Sequence, residues 1–254
     1  MPRFICLIML LWWVVPPSFA RAEEPGTASP ETSSQDWFEN PTRTRSLVGP
    51  TALPLHAGEG YIGQQAFLIT AAEVGLSERV SLNAASVIPI VALARGFSDV
   101  PFSLLAGIKV TFPLTERLHL AFGAQGGTFD SDLGGLNVVN GVAAYGVLTY
   151  GTGDAYVSLT VQPIFTWGSM DESGSAMVLP MLGGFIRLGR HWGLAADVAL
   201  SPVEGISAPF AFATAGGRLL GQHWSVDLGV LAGKQLHDST LAVVPGASFL
   251  FHWR

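Results

Sequence analysis

Five charged residues stand out in a chain that carries few charges: Lys109, Arg187, Asp197, Arg218 and Asp227. Each lies in an extended run of alternating character, on the side that holds the small and polar residues. If those runs are strands of a closed wall, the five face the enclosed space. Charges lining a lumen can form a constriction that selects solutes. They can equally be ion pairs that fill and stiffen the interior. In sequence terms Arg187 goes with Asp197 and Arg218 with Asp227, and the ion-pair reading is preferred; the same residues can do both.

Other chemistry finds less support. The six histidines are His56, His119, His191, His223, His237 and His252. A metal site needs a cluster held at fixed geometry. His191 and His223 could approach across adjacent hairpins, but two ligands in wet turns make a poor site, so no metal or other cofactor is expected. A hydrolase would need a Ser or Thr beside a His with an orienting group. His119 with Ser158 is the pairing one can draw, yet no G-x-S-x-G elbow accompanies it, and the chain is read as no enzyme. Asp130, Asp132, Asp171 and Glu172 lack the spacing of a calcium loop and read as solvated loop acids.

The elements that would position these groups follow from composition and period. The chain is 49% hydrophobic and 13% charged over 254 residues, against about 25% charged in an ordinary soluble domain. Its body has no apolar run long enough for a spanning helix, which needs about 20 residues; Ala84–Ala94 is among the longest. A closed barrel is the other structure that satisfies every backbone group in lipid. Tyr156–Trp167 alternates Val157, Leu159, Val161, Pro163, Phe165 and Trp167 with Tyr156, Ser158, Thr160, Gln162, Ile164 and Thr166. Leu118–Thr128 and Trp224–Ala232 alternate in the same way. Period 2 over such lengths suits a tilted membrane strand. With bulky aliphatics on one face and small residues on the other, the bulky face is expected to meet lipid.

Turn signals at GLSERVSL (from 75), PLTERLHL (113), YGTGDAYVSL (150), LGRHWGLAAD (188) and LGQHWSVDLG (220) mark five hairpins. They give ten strands: 60–74, 80–92, 102–112, 117–129, 139–150, 155–167, 177–188, 193–201, 209–220 and 224–233. The segment 241–253 makes an eleventh. Arg43–Leu55 is the candidate first strand, although Pro50 and Pro54 remove ladder donors. The total of 12 is even, as expected for a bacterial single-chain barrel; 10 strands with another closure is the alternative. The opposite loops fall near 129–138, 168–176, 202–208 and 234–240. Two of the hairpins repeat His-Trp just after the turn, at His191-Trp192 and His223-Trp224. Trp192, Trp224 and the near-terminal Trp253 are expected at the membrane–water boundary, ring in the interface and N–H wet.

The ends carry addresses. Residues 1–22 read as a signal peptide: Arg3, an apolar core Phe4–Val15, Pro16-Pro17, and Ala20-Arg21-Ala22 as the cleavage pattern. The single cysteine, Cys6, lies inside it. Removing Arg3 and Arg21 takes the formal charge from −6 to −8, and such a balance gives no support for nucleic-acid binding. Residues 23–42, rich in Ser, Thr, Pro and Glu, read as a flexible periplasmic leader, with Trp37-Phe38 an aromatic pair near the rim. Residues 43–254 are the barrel. The last strand, SFLFHWR, resembles the C-terminal signal that barrel-insertion machinery recognises.

One stretch carries a more specific resemblance. GPTALPLHAGEGY (Gly49–Tyr61), followed by EVGLSERVSL (Glu73–Leu82), resembles a family of uncharacterised bacterial outer-membrane β-barrel proteins with a G-P-S/T-A-x-P-L-x-x-G-E-G-Y segment. The resemblance implies a barrel and an outer-membrane address and brings no catalytic site or ligand. In this segment Gly58-Glu59-Gly60 reads as a hairpin connection. The expectation is therefore an all-β, antiparallel transmembrane β-barrel in the bacterial outer membrane. Its partners would be outer-membrane lipid and the insertion machinery, and its activity a narrow passive pore for small solutes. The alternative is a sealed structural or surface-interaction barrel without transport.

Overall fold

The computed structural model describes residues 37–65, 69–87, 103–130, 138–168, 171–201, 210–235 and 241–254. The signal-peptide segment, most of the leader, and His237 lie outside them. The described chain forms one closed antiparallel barrel of twelve strands. In chain order they are β1 (Gly60–Gln65), β2 (Ile69–Gly75), β3 (Val80–Val87), β4 (Ser103–Pro113), β5 (Leu118–Asp130) and β6 (Val138–Thr152). There follow β7 (Ala155–Gly168), β8 (Asp171–Gly189), β9 (Trp192–Ser201), β10 (Phe210–Leu220), β11 (Trp224–Gln235) and β12 (Leu241–Trp253). Each strand pairs with its sequence neighbours, and β1 closes on β12 from Gly60↔Trp253 to Gln64↔Phe249. Closure removes both sheet edges, so no row of backbone donors is left unpaired.

The period-2 pattern decides which face looks where. Leu159 is 50% exposed on the outside, while its neighbours Ser158 and Thr160 are each 2% exposed on the inside. The same alternation places Phe122, Leu148, Val161, Phe165, Leu194, Leu228 and Phe249 outside. The bulky faces therefore ring the exterior, and Glu73, Lys109, Asp197, Arg218 and Asp227 are enclosed.

The strand total agrees with the sequence, but two assignments behind it change. Arg43–Leu55 is not a wall strand; it lies inside the lumen. The range 60–74 is two strands instead of one, paired from Gly60↔Val74 to Gln65↔Ile69. The sequence hides this reversal because Ala66-Phe67-Leu68 between the strands includes none of the usual turn residues. Gly58-Glu59-Gly60 is accordingly no hairpin connection between wall strands. It is the passage from the lumen segment into β1, and Gly58 has φ +80°. The expected loop 168–176 is also shorter, since β8 begins at Asp171.

Register sets the polarity. Gly60 lies level with Val74 and Trp253, so both ends of the wall stand at the same mouth as the five tight turns. The lumen segment also enters there.

Candidate functional site: the plugged lumen

Residues 37–59 fold into the barrel as a hairpin-like plug. Its limbs are joined to each other at Arg45↔Pro50, with Thr51 N–H donating to Thr44 O at 3.1 Å. At its tip, Ser46-Leu47-Val48-Gly49 turns back, with the Ser46 amide donating to Gly49 O at 2.9 Å. Pro50 and Pro54 explain why this stretch leaves the wall. Each lacks the N–H that a central strand needs, whereas a plug makes few ladder bonds.

The tip rests on Asp197. Its carboxylate accepts from the Ser46 hydroxyl, from Leu47 N at 3.1 Å, from Val48 N at 2.9 Å and from Gly49 N at 3.4 Å. Thr214 Oγ1 adds a wall-side bond at 3.1 Å. A carboxylate that receives a turn of backbone amides is a charge-assisted latch. Gly183 makes room for it: a Cβ there would stand 2.1 Å from Asp197 Oδ1.

Between the tip and the mouth, Arg218 bridges wall and plug. Its Nε and Nη2 donate to Asp227 at 2.5 and 3.1 Å; Nη1 donates to Thr42 Oγ1 at 2.8 Å and Arg45 O at 3.0 Å; and Nη2 donates to Ser46 O at 2.6 Å. Arg45 of the plug completes the cluster through its own ion pair with Asp227. On the other side Lys109 Nζ donates to Thr51 O, and Thr149 Oγ1 accepts from Ala52 N at 2.7 Å while sharing a 2.8 Å bond with Ser158. Tyr156 donates its phenol proton to Arg45 O at 2.5 Å.

Apolar packing fills the gaps. Val48 joins Ala143, Ile164, Leu179, Met181, Ala199 and Phe212. Leu53 joins Tyr156, Phe185, Ala195 and Leu220. These large inward side chains would be stranded in an empty channel; the plug gives them a core. Beside the tip remains a cavity of about 40 Å³, lined by Leu47, Val48, Thr214, Asp227, Gly229 and Ser248 among others. That is room for a few waters at most.

The plug is also held at the mouth. Arg43 makes a two-pronged pair with Glu59 at 3.1 and 2.6 Å, and Glu59 accepts His56 N–H at 2.8 Å. Burial opposes ionisation of Glu59, but the Arg43 bonds and charge, with the His56 amide and Arg254, outweigh it and hold its carboxyl below the ordinary glutamate value. Arg187 lies over the rings of Trp37 and Phe38, 4.9 and 4.6 Å from their centroids. It also donates to Phe38 O at 2.7 Å and to Asp154 at 2.8 Å. The rim aromatics are thus part of the plug's base.

All five charges singled out in the sequence, Lys109, Arg187, Asp197, Arg218 and Asp227, are buried. The pairing differs in one respect: Arg218 pairs with Asp227, but Arg187 pairs with Asp154, leaving Asp197 to the plug. The reason is position along the barrel. Arg187 stands at the tight-turn mouth opposite Gly193, whereas Asp197 lies opposite Gly183. Sequence reading missed the plug's own contributors, Thr42, Arg43, Arg45, Ser46 and Glu59. The two prolines were the available signal.

A second group of interior residues was also missed. Tyr61, Glu73, Ser81, Asn83 and Tyr145 are buried, and Glu73 stands level with Tyr61 and Asn83. The Ser81 and Tyr145 hydroxyls and the Asn83 amide nitrogen make no hydrogen bond to the protein. No lone alternation rule flags them, because polar residues on the inner face are what the pattern leads one to expect.

The remaining candidates take ordinary places. Trp192 and Trp224 are exposed on the outside at the first residues of β9 and β11, and Trp253 is half-buried at the end of β12. His191 Nδ1 lies 3.0 Å from Leu220 O. His252 is buried inside, its Nε2 3.1 Å from Ser225 Oγ. His119 and Ser158 are separated by Thr149, which stands level with both.

Two solved proteins are similar to this chain. A KdgM porin, solved in complex with disordered oligogalacturonate, is 10% identical over 76% of this chain and 95% of its own, with a TM-score of 0.48. The translocator domain of the autotransporter NalP from Neisseria meningitidis is 12% identical over 77% of this chain and 85% of its own, with a TM-score of 0.40. No family model and no curated protein matches the sequence.

Proposed function

We propose that the chain is a bacterial outer-membrane β-barrel that its own N-terminal segment closes at rest, so that in this state it is a sealed barrel and not a passive pore. One observation carries the reading: the lumen-facing charges Asp197, Arg218 and Lys109 are bonded to plug backbone atoms rather than left to face a channel. A solute-selecting constriction needs those groups free.

The membrane address is supported by the exterior. An outward belt of Leu, Val, Ile and Phe, with Tyr150, Trp192 and Trp224 toward the tight-turn end and Trp167 toward the other, is the surface that lipid and its two interfaces favour. Export by residues 1–22 and insertion through the β12 aromatics Phe249, Phe251 and Trp253 complete the route. No catalysis is assigned: Thr149, level with His119, accepts the plug's Ala52 amide, and Ser158 bonds Thr149.

Planar-bilayer recording tests the closed state. Folded full-length protein, identified by its heat-dependent electrophoretic mobility, is expected to insert and stay silent. Steady conductance from such protein would overturn the proposal.

A further inference from the structure

We infer that residues 37–59 are a hinged gate that swings out through the tight-turn mouth and opens a lumen favouring small cations over anions. This rests on the closed resting state proposed above.

Topology permits the movement. The plug enters beside Arg187 and leaves into β1 at Gly60, and both points are at the same mouth. The segment can therefore withdraw without breaking any strand–strand pairing, losing at its hinge only the bonds of Gly58 N–H to Gly75 O and of Gly75 N–H to Glu59 O. Its exit end is built to turn: Ala57 and Gly58 are exposed, and Gly58 has φ +80°. The plug also keeps its own bonds, Arg45↔Pro50, Thr51 to Thr44 and Arg43 to Glu59, so it can leave as a unit.

The contact surface favours release. Much of the grip on the wall is hydrogen bonds and ion pairs, through Thr42, Arg45, Ser46, Thr51 and Ala52. Water can replace such bonds at small net cost, whereas an all-apolar contact of the same size would not be replaced. One side of the wall behind is suited to water as well, since Ser81, Asn83 and Tyr145 already present polar atoms that no protein group satisfies, while release bares the apolar side around Phe185 and Phe212.

Charge gives the selectivity. Among the described residues, the inner wall holds the acids Glu73, Asp197 and Asp227 against the bases Lys109 and Arg218, with Arg187 neutralised by its pair with Asp154. Arg45 of the plug is the third base, and it pairs with Asp227. With the plug in place the two signs match. Its departure removes Arg45 from the lumen and leaves one acid in excess there, while Glu39, Arg43 and Glu59 leave the mouth as a linked group. An excess of carboxylate in a narrow lumen draws cations.

A reversible lock tests this. A Cβ at Gly153 would lie 3.4 Å from that of Arg43, close to the usual disulfide spacing of about 3.8 Å. The full chain is made as C6S/R43C/R45A/G153C, which removes both plug arginines and leaves the wall charges intact. Oxidised, it is expected to be silent in planar bilayers. Reduced, it is expected to conduct, with K⁺ preferred over Cl⁻ on the order of threefold from the reversal potential in a KCl gradient. Adding E73Q is expected to bring that ratio toward unity. Silence of the reduced form, with folding verified by heat-dependent mobility, would overturn the gate while leaving the closed barrel standing. Equal conductance of oxidised and reduced forms would place the path elsewhere and overturn it too. Anion preference would overturn the charge assignment. Conductance of the unmodified chain would instead count against the closed resting state.

Discussion

At the residue scale, Arg218 ties the most structure together. It is fully buried and holds Asp227 on the wall and Thr42, Arg45 and Ser46 on the plug. Removing one member of a buried charged network leaves its partners desolvated, at about 3–5 kcal/mol. R218A is therefore expected to lower the barrel's urea midpoint by that equivalent, measured by tryptophan fluorescence in lipid vesicles. Gly183 is a subtler case. Any side chain there would displace the Asp197 carboxylate from 2.1 Å. G183A should leave the wall folded but free the plug tip, read as faster tryptic cleavage after Arg43 and Arg45 than in the parent. If cleavage is unchanged, Asp197 is not the tip's latch. The sequence suggested Asp197 as a lumen charge, but its partners could not be read there, because Ser46–Gly49 and Asp197 are about 150 positions apart.

At the element scale, the plug and the wall answer to different conditions. The lowered carboxyl of Glu59 links the plug's base to pH. The Arg43–Glu59 contribution is whole above the ordinary glutamate range, and it fades as pH falls through that range and then through Glu59's depressed value. Acidification is thus expected to loosen the mouth, seen as a change in Trp37 emission that W37F abolishes and E59Q makes independent of pH. The wall instead answers to lipid. V161R puts a guanidinium on the outward face midway along β7 and is expected to cost about 2–4 kcal/mol in a bilayer, by urea unfolding in vesicles. A negligible cost would mean that this face does not meet acyl chains. The strands were legible because period 2 is a local property: β4 to β7 and β9 to β12 lie within a few residues of their expected bounds. The plug was not, since its residues are extended and its bonding partners are remote in sequence. β1 and β2 were merged because no turn residue marks their reversal.

At the scale of the whole molecule, closure and filling come from separate causes. Twelve strands make a barrel whose interior falls between the packed eight-stranded and the open sixteen-stranded cases. Inward Leu179, Phe185, Phe212 and Leu220 need a partner in that space, and the plug supplies Val48 and Leu53. The strand total of twelve expected from the sequence rests on counting Arg43–Leu55 as a strand and merging β1 with β2; by itself the sequence determined the all-β class and the outward direction of the bulky residues. Those follow from alternation and from the cost of leaving backbone groups unpaired in lipid. Only the tertiary structure decided that Arg43–Leu55 turns inward to occupy the lumen, and so which charges hold the plug rather than line a channel. The physical reason is that a strand's faces are fixed by neighbours one or two residues away, whereas the contents of a lumen are fixed by contacts between segments that meet only once the barrel has closed.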